Sequence, residues 1–221
     1  MAKGKRQVLF VFLIIAFPFL IAVFLRFCAQ HEFVSLPRMY SISGTGDTLF
    51  HTLPDFSLTD QNAKPFTRDM MRGKIYLVNF FSTQGDTLVN LVMDGHLKDV
   101  YQNADKVENI RFLSIAIDPE IDSLEVIRKQ AIKWEGQSPK WTVALPPSME
   151  EAVRIGRELG LPEFKNTDPS FKPFAVQTVA FIDRKGDVRG FYTLSDLGEV
   201  KRIKEDMYAL IRLDYDGDFG E

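Results

Sequence analysis

Apolar and polar positions divide this chain into two unequal parts. Met1–Gln7 is basic, and Val8 to Leu25 is then an apolar run of eighteen residues. Beyond it the pattern breaks into short blocks. Phe56-Ser-Leu-Thr59 alternates and is followed by the turn Asp60–Lys64, which predicts a short hairpin. Ile75–Phe81 and Ile110–Ile117 are nearly all apolar and read as strands buried on both faces. Between them Leu88, Val89, Val92, Leu97, Val100 and Tyr101 recur at helical spacing, with one gap at Gly95-His96. Asp122-Ser-Leu-Glu125 has the form of a capping box and opens a helix through Trp134. Trp141–Leu145 predicts a strand, and Ser148–Glu151 opens a helix that Gly160 and Pro162 end. Val176–Asp183 and Val188–Tyr192 flank the turn Arg184–Asp187 as a closing hairpin. A last helix starts at Ser195 or Asp196 and carries the face Val200, Ile203, Met207, Leu210, Ile211.

Strands and helices alternate until that closing hairpin and helix. The order predicts an α/β domain: a parallel sheet with an antiparallel edge and helices on both faces. As a helix, Val8–Leu25 would be about 27 Å long, close to the hydrocarbon thickness of a bilayer. Bulky Phe27 and Arg26 before Cys28 fit neither a cleaved signal nor a lipoprotein signal, so the run reads as a retained transmembrane anchor. Lys3, Lys5 and Arg6 before it, against Arg26 and Arg38 after it, put the N-terminus in the cytoplasm and the domain on the extracytoplasmic side. The expected organisation is a basic start over 1–7, an anchor over 8–25, a linker over 26–48, the globular domain over 49–213 and an acidic tail over 214–221.

Composition narrows the chemistry. A net charge of -3 gives no ground for a nucleic-acid partner. The one cysteine, Cys28, excludes an intrachain disulfide framework and any zinc site built on a cysteine pair.

Four segments in order resemble the Sco/SenC family of membrane-anchored thioredoxin-like proteins, associated with copper delivery to respiratory oxidases. They are Leu53–Thr67, Gly73–Thr83, Phe112–Ser123 and Val179–Tyr192. The resemblance implies a thioredoxin-like fold with an N-terminal β-hairpin. It also implies a Cu(I) site of two cysteines in a C-x-x-x-C turn and one histidine before the closing strand, a soft ligand set suited to that ion. In this sequence those positions fall on Gly85, Val89 and, to within about two residues, Ala175. Asn90 takes the place of the proline that usually follows, and Ala63 stands where the family often has glycine. No histidine follows His96, so no shift of register restores the set.

The remaining candidates have ordinary readings. Cys28 is expected as a packing cysteine at the outer end of the anchor, and His31, His51 and His96 lack ligand spacing. Asp118, Glu120 and Asp122 form an acidic cluster that could hold a hard cation, but a turn and a helix cap, with Asp122 as the cap, account for it. Trp134 and Trp141 are expected in the core. The expectation is a membrane-bound Sco-like protein without catalytic, cofactor or metal-ligating residues, not an enzyme. It would act as an accessory in cytochrome c oxidase or copper-site assembly, through the membrane and through another membrane or extracytoplasmic protein. The alternatives are a thiol oxidoreductase or peroxidase of the same fold, and a metal carrier with ligands of its own.

Overall fold

The computed structural model describes residues 16–21, 36–84, 87–104, 107–134, 139–165 and 176–215, the side chains of 87 and 212–215 excepted. The chain forms two compact units, residues 1–34 and 35–221. In the first, residues 16–21 are helical, and the rest of the expected anchor over 8–25 lies outside the described residues. Among the described residues no helix is long and apolar enough to cross a membrane.

The second unit is built on a seven-stranded sheet. Its strands are β3 (Ser57–Asp60), β4 (Pro65–Thr67), β5 (Ile75–Phe81), β6 (Ile110–Ala116), β7 (Trp141–Leu145), β8 (Thr178–Ile182) and β9 (Val188–Thr193), in the order β4-β3-β7-β6-β5-β8-β9. The three central strands β7, β6 and β5 run parallel, and an antiparallel hairpin flanks them on each side. The expected antiparallel edge is therefore present twice. Inner position explains the nearly continuous apolar strings: every residue of β8 and all but the last of β5 is buried.

Helices α1 (Thr87–Ala104), α2 (Leu124–Lys133) and α4 (Leu197–Tyr215) bury Leu97, Val100, Ile127, Ala131, Ile203 and Met207 in one hydrophobic cluster. Helix α3 (Met149–Glu158) closes the other, packing Ala152 and Ile155 with Val78, Phe80 and Phe164. Trp134 and Trp141 stack in the first cluster, centroids 5.3 Å apart and planes 9° off parallel, as core residues. Ser148 caps α3, its Oγ accepting from Glu151 N at 3.4 Å. Asp196, not Ser195, caps α4: its Oδ1 accepts from Gly198 N at 2.7 Å. Gly160, at φ +84°, ends α3 in the left-handed conformation that glycine adopts without strain.

Two expectations need correction. Residues 26–48 were expected as linker, yet β1 (Tyr40–Ile42) pairs antiparallel with β2 (Thr48–Phe50) in a separate hairpin. The hairpin is tied to the domain by Met39 N donating to Val188 O at 2.8 Å and by the Arg38–Asp187 ion pair at 2.8 Å. Its strands are only three residues long, too short for a periodic signal. The capping box at 122–125 does not form. Ser123 is the N-cap of α2 and makes no side-chain cap, while the Asp122 side chain turns elsewhere. Ala63, which departs from the family's glycine, sits at φ +61° in the turn between β3 and β4. That is strained ground for a residue with a Cβ.

Candidate functional site

The turn from β5 into α1 lies at the carboxyl end of a central parallel strand, where sheets of this kind place their sites. Its shape is fixed from four directions. Ile117 N donates to Phe81 O at 3.0 Å, holding the end of β5 against β6. Ser82 is buried, and its Oγ accepts from Gln84 N at 3.2 Å. Asn90 Nδ2, from the first turn of α1, donates to Ser82 O at 3.2 Å. The Thr83 hydroxyl and the Thr83 N–H, the latter at 3.1 Å, both donate to Asp122 Oδ1. Asp122 therefore clamps the turn, not α2.

The Asp122 clamp is electrostatically tense. Burial pushes the Asp122 carboxyl above its ordinary value; the hydrogen bonds from Thr83 pull it back, and the negative charge of Asp118 adds to the rise. Its Oδ2 is buried without a hydrogen-bond partner. Asp118 in turn caps its own loop, with Oδ1 accepting from Glu120 N at 3.0 Å. The acidic cluster is thus a turn plus a clamp. Among the described residues no group of three His, Cys, Asp or Glu side chains could hold a metal ion.

Below the turn, Ser114 Oγ donates to Asn79 Oδ1 at 2.6 Å and accepts from Trp141 Nε1 at 3.0 Å. This buried polar chain crosses three neighbouring strands and fixes their lateral positions. Phe81 rests edge-on against Trp134 with centroids 5.0 Å apart. A groove of about 290 Å³ opens beside the turn, bounded by Thr83, Asn90, Leu91, Gln130, Lys133 and Trp134. Its charges are matched internally, with Lys133 Nζ 2.5 Å from Asp94 Oδ2. On the exposed side of α1, Leu88, Leu91 and Val92 face outward at 73%, 60% and 48% exposure.

Of the family ligand positions, Val89 is half-buried in the first turn of α1, while Gly85 and Ala175 lie outside the described residues. Glycine, valine and alanine offer no side-chain donor to a metal. Neither described histidine takes their place. The His96 imidazole is 2.6 Å from Leu194 O through Nδ1, and His51 lies under Phe191, ring centroids 6.3 Å apart. His31 and Cys28 lie outside the described residues.

Comparison with known proteins agrees with this geometry. Residues 45–143 match the SCO1/SenC family model. Over that stretch the chain is similar to the SCO1/SenC family. The SCO1 protein homolog of Bacillus subtilis is 27% identical over 121 residues, 54% of this chain and 60% of that protein, so the match spans less than two thirds of the relative. A SCO1/SenC family lipoprotein of Bacillus anthracis superposes with a TM-score of 0.62 at 22% identity, over 72% of this chain and 95% of that one. Arabidopsis thaliana ScoI, solved with copper bound, superposes with a TM-score of 0.56 at 18% identity, over 72% and 97%. These likenesses establish the thioredoxin-like Sco fold.

The Thr83–Asp122 clamp was not foreseen, because its partners are 39 residues apart and neither is unusual in its own segment. The Asn79–Ser114 contact did leave a trace. Each is the buried polar residue of a largely apolar strand, and two such residues on adjacent strands are expected to pair.

Proposed function

We propose that this chain is a membrane-anchored, extracytoplasmic Sco-like protein that binds a partner in place of binding copper. The observation that carries the reading is the substitution of the ligand set in an otherwise intact frame. Gly85, Val89 and Ala175 replace two thiolates and an imidazole, and the chain's one cysteine lies at position 28. The turn that would present them is still clamped by Asn90, Thr83 and Asp122. Thiol chemistry of the oxidoreductase or peroxidase kind requires a cysteine at this turn, where the helix N-terminus lowers its pKa. No such residue is present. The link to cytochrome c oxidase or copper-site assembly comes from the Sco family, described as cytochrome c oxidase assembly proteins. The anchor is read from the apolar run at 8–25, and an extracytoplasmic domain from the basic residues before it.

The test is a competition for Cu(I) between the full-length protein and a strong chelator. The metal is expected to stay on the chelator. Stoichiometric retention by the protein overturns the reading and favours a carrier with its own ligands, Met93 and His96 being the first to substitute. Digestion of the domain by protease added to intact spheroplasts is the expected topology result, and full protection overturns it.

A further inference from the structure

The end of the sheet opposite the β5–α1 turn carries two features that the role above does not use. One is a groove of about 350 Å³ ringed by Arg68, Arg72, Lys74, Arg184 and Lys185. Two of these cations are paired, Arg68 with Asp55 at 3.1 Å and Arg72 with Asp69 at 3.0 Å, and Asp183 in the lining pairs with Arg189 at 2.7 Å, so basic groups still outnumber acidic ones around the groove. In a chain of net charge -3, this is a local concentration of positive charge.

The other feature is the β1–β2 hairpin. Its register places Tyr40 opposite Phe50 and Ile42 opposite Thr48, so all four share one face. Tyr40 and Ile42 are 57% and 70% exposed and Phe50 is 48% exposed. The Arg38 guanidinium lies 4.3 Å over the Phe50 ring. Both features are rooted in one turn. Val188 N donates to His51 O at 3.0 Å and Leu53 N to Gly186 O at 2.8 Å, binding the hairpin's exit strand to the segment that supplies Arg184 and Lys185.

We propose that this end of the domain docks on anionic phospholipid headgroups, with the aromatic hairpin in the bilayer interface and the basic groove against lipid phosphates. Exposed aromatic and aliphatic side chains beside clustered Lys and Arg match what a membrane interface offers over a few ångströms of depth. An acidic protein would satisfy the groove and leave Tyr40, Ile42 and Phe50 in water. An apolar peptide would satisfy the hairpin and offer nothing to the excess positive charge of the groove. Chain length agrees: residues 26–39 separate the apolar run from the hairpin and reach at most about 50 Å. That last argument alone rests on the anchoring proposed above. Strand β5 then carries the ligand-free turn about 20 Å from the groove, on the far side from the bilayer.

The test uses the full chain with Cys28→Ser and a single fluorophore on either Thr48→Cys or Leu88→Cys. Each is mixed with vesicles of phosphatidylcholine, with or without phosphatidylglycerol, carrying headgroup-nitroxide lipid. The label at position 48 is expected to be quenched strongly in the anionic vesicles and weakly in the neutral ones, and the label at 88 in neither. Arg72→Gln and Lys74→Gln should each weaken the anionic preference by about fivefold, the contribution of one basic residue near such a surface. Equal quenching at the two positions, no quenching at 48, or indifference to phosphatidylglycerol overturns the inference. Alkaline extraction of the same vesicles reports the anchor separately. A chain that washes off yet keeps quenching at 48 under neutral conditions refutes the anchoring and supports the docking face.

Discussion

The two ends of β5 are built in opposite ways. At its carboxyl end the turn is held by a dense set of short-range bonds among Phe81, Ser82, Thr83, Asn90 and Asp122, set above stacked tryptophans. At its amino end the backbone passes into a surface of charges and exposed rings, with ion pairs such as Arg72–Asp69 that are more than three-quarters exposed on both sides. One end is a fixed turn which, on the function proposed above, no longer carries its reactive residues. The other has no enclosed architecture and a concentration of surface chemistry. A rigid frame and a reactive group are separable properties: the first is spread over many hydrogen bonds and rings, the second over three side chains.

The difference in rigidity has a direct test in stability. Trp134 supports Phe81 on one side and stacks on Trp141 on the other, and it is 2% exposed. Trp134→Ala is expected to cost about 3–5 kcal/mol, read as a lowered denaturation midpoint. Arg72→Gln, at the opposite end, should change stability by less than about 0.5 kcal/mol, since exposed ion pairs contribute little. A Trp134→Ala loss no larger than that of Arg72→Gln would erase the contrast.

Much of the frame was legible because burial writes itself into sequence. Ile75–Phe81 and Ile110–Ile117 are nearly all apolar because both faces of β5 and β6 are covered, and Ser148 announces α3 because a hydroxyl at that position has a fixed partner. The hairpin at 40–50 was not legible, since three-residue strands carry no period and its rings are exposed. Asp122 was misread for a physical reason. A carboxylate three residues before a glutamate has the spacing of a capping box, but the competing donors at Thr83 came from a segment far away in sequence. At the site itself, the positions of Gly85 and Val89 came from resemblance alone.

The tension at Asp122 gives the turn a pH signature on the acid side of neutrality. Because its carboxyl is raised in the folded protein, the folded state binds the proton more readily than the unfolded chain does. Below about 3.8, the ordinary carboxylate value, both states are protonated and Asp122 costs nothing. As pH rises through the folded value the buried charge must be carried, and stability falls. Asp122→Asn keeps an acceptor for Thr83 and places a neutral amide where Oδ2 lies, which costs less to bury than a charge. The variant should be more stable than the parent at neutral pH and equal to it in acid, measured by denaturation across pH. By contrast Thr83→Val removes one donor from the clamp and should lose about 1–3 kcal/mol at neutral pH. An Asp122→Asn variant destabilised at neutral pH would show that the charge supports the turn.

The smallest effect bears on whether α1 transmits the rigidity of the turn. The hydrophobic pattern breaks at Gly95-His96, which leaves open a break in the helix just behind the site. The structure runs α1 unbroken from Thr87 to Ala104, with His96 Nδ1 2.6 Å from Leu194 O. A Cβ at Gly95 would meet nothing within 4 Å. Glycine in a helix interior costs about 1 kcal/mol against alanine, through the backbone freedom it loses on folding. Gly95→Ala is therefore expected to raise stability by about 0.5–1 kcal/mol, with slower amide exchange over residues 88–94, the half of α1 next to the turn. A neutral or destabilising result would mean that Gly95 works as a hinge in solution. The carboxyl end of β5 would then be coupled only loosely to the rest of the helix, and its rigidity would rest on the local bonds of Phe81, Ser82, Thr83 and Asn90.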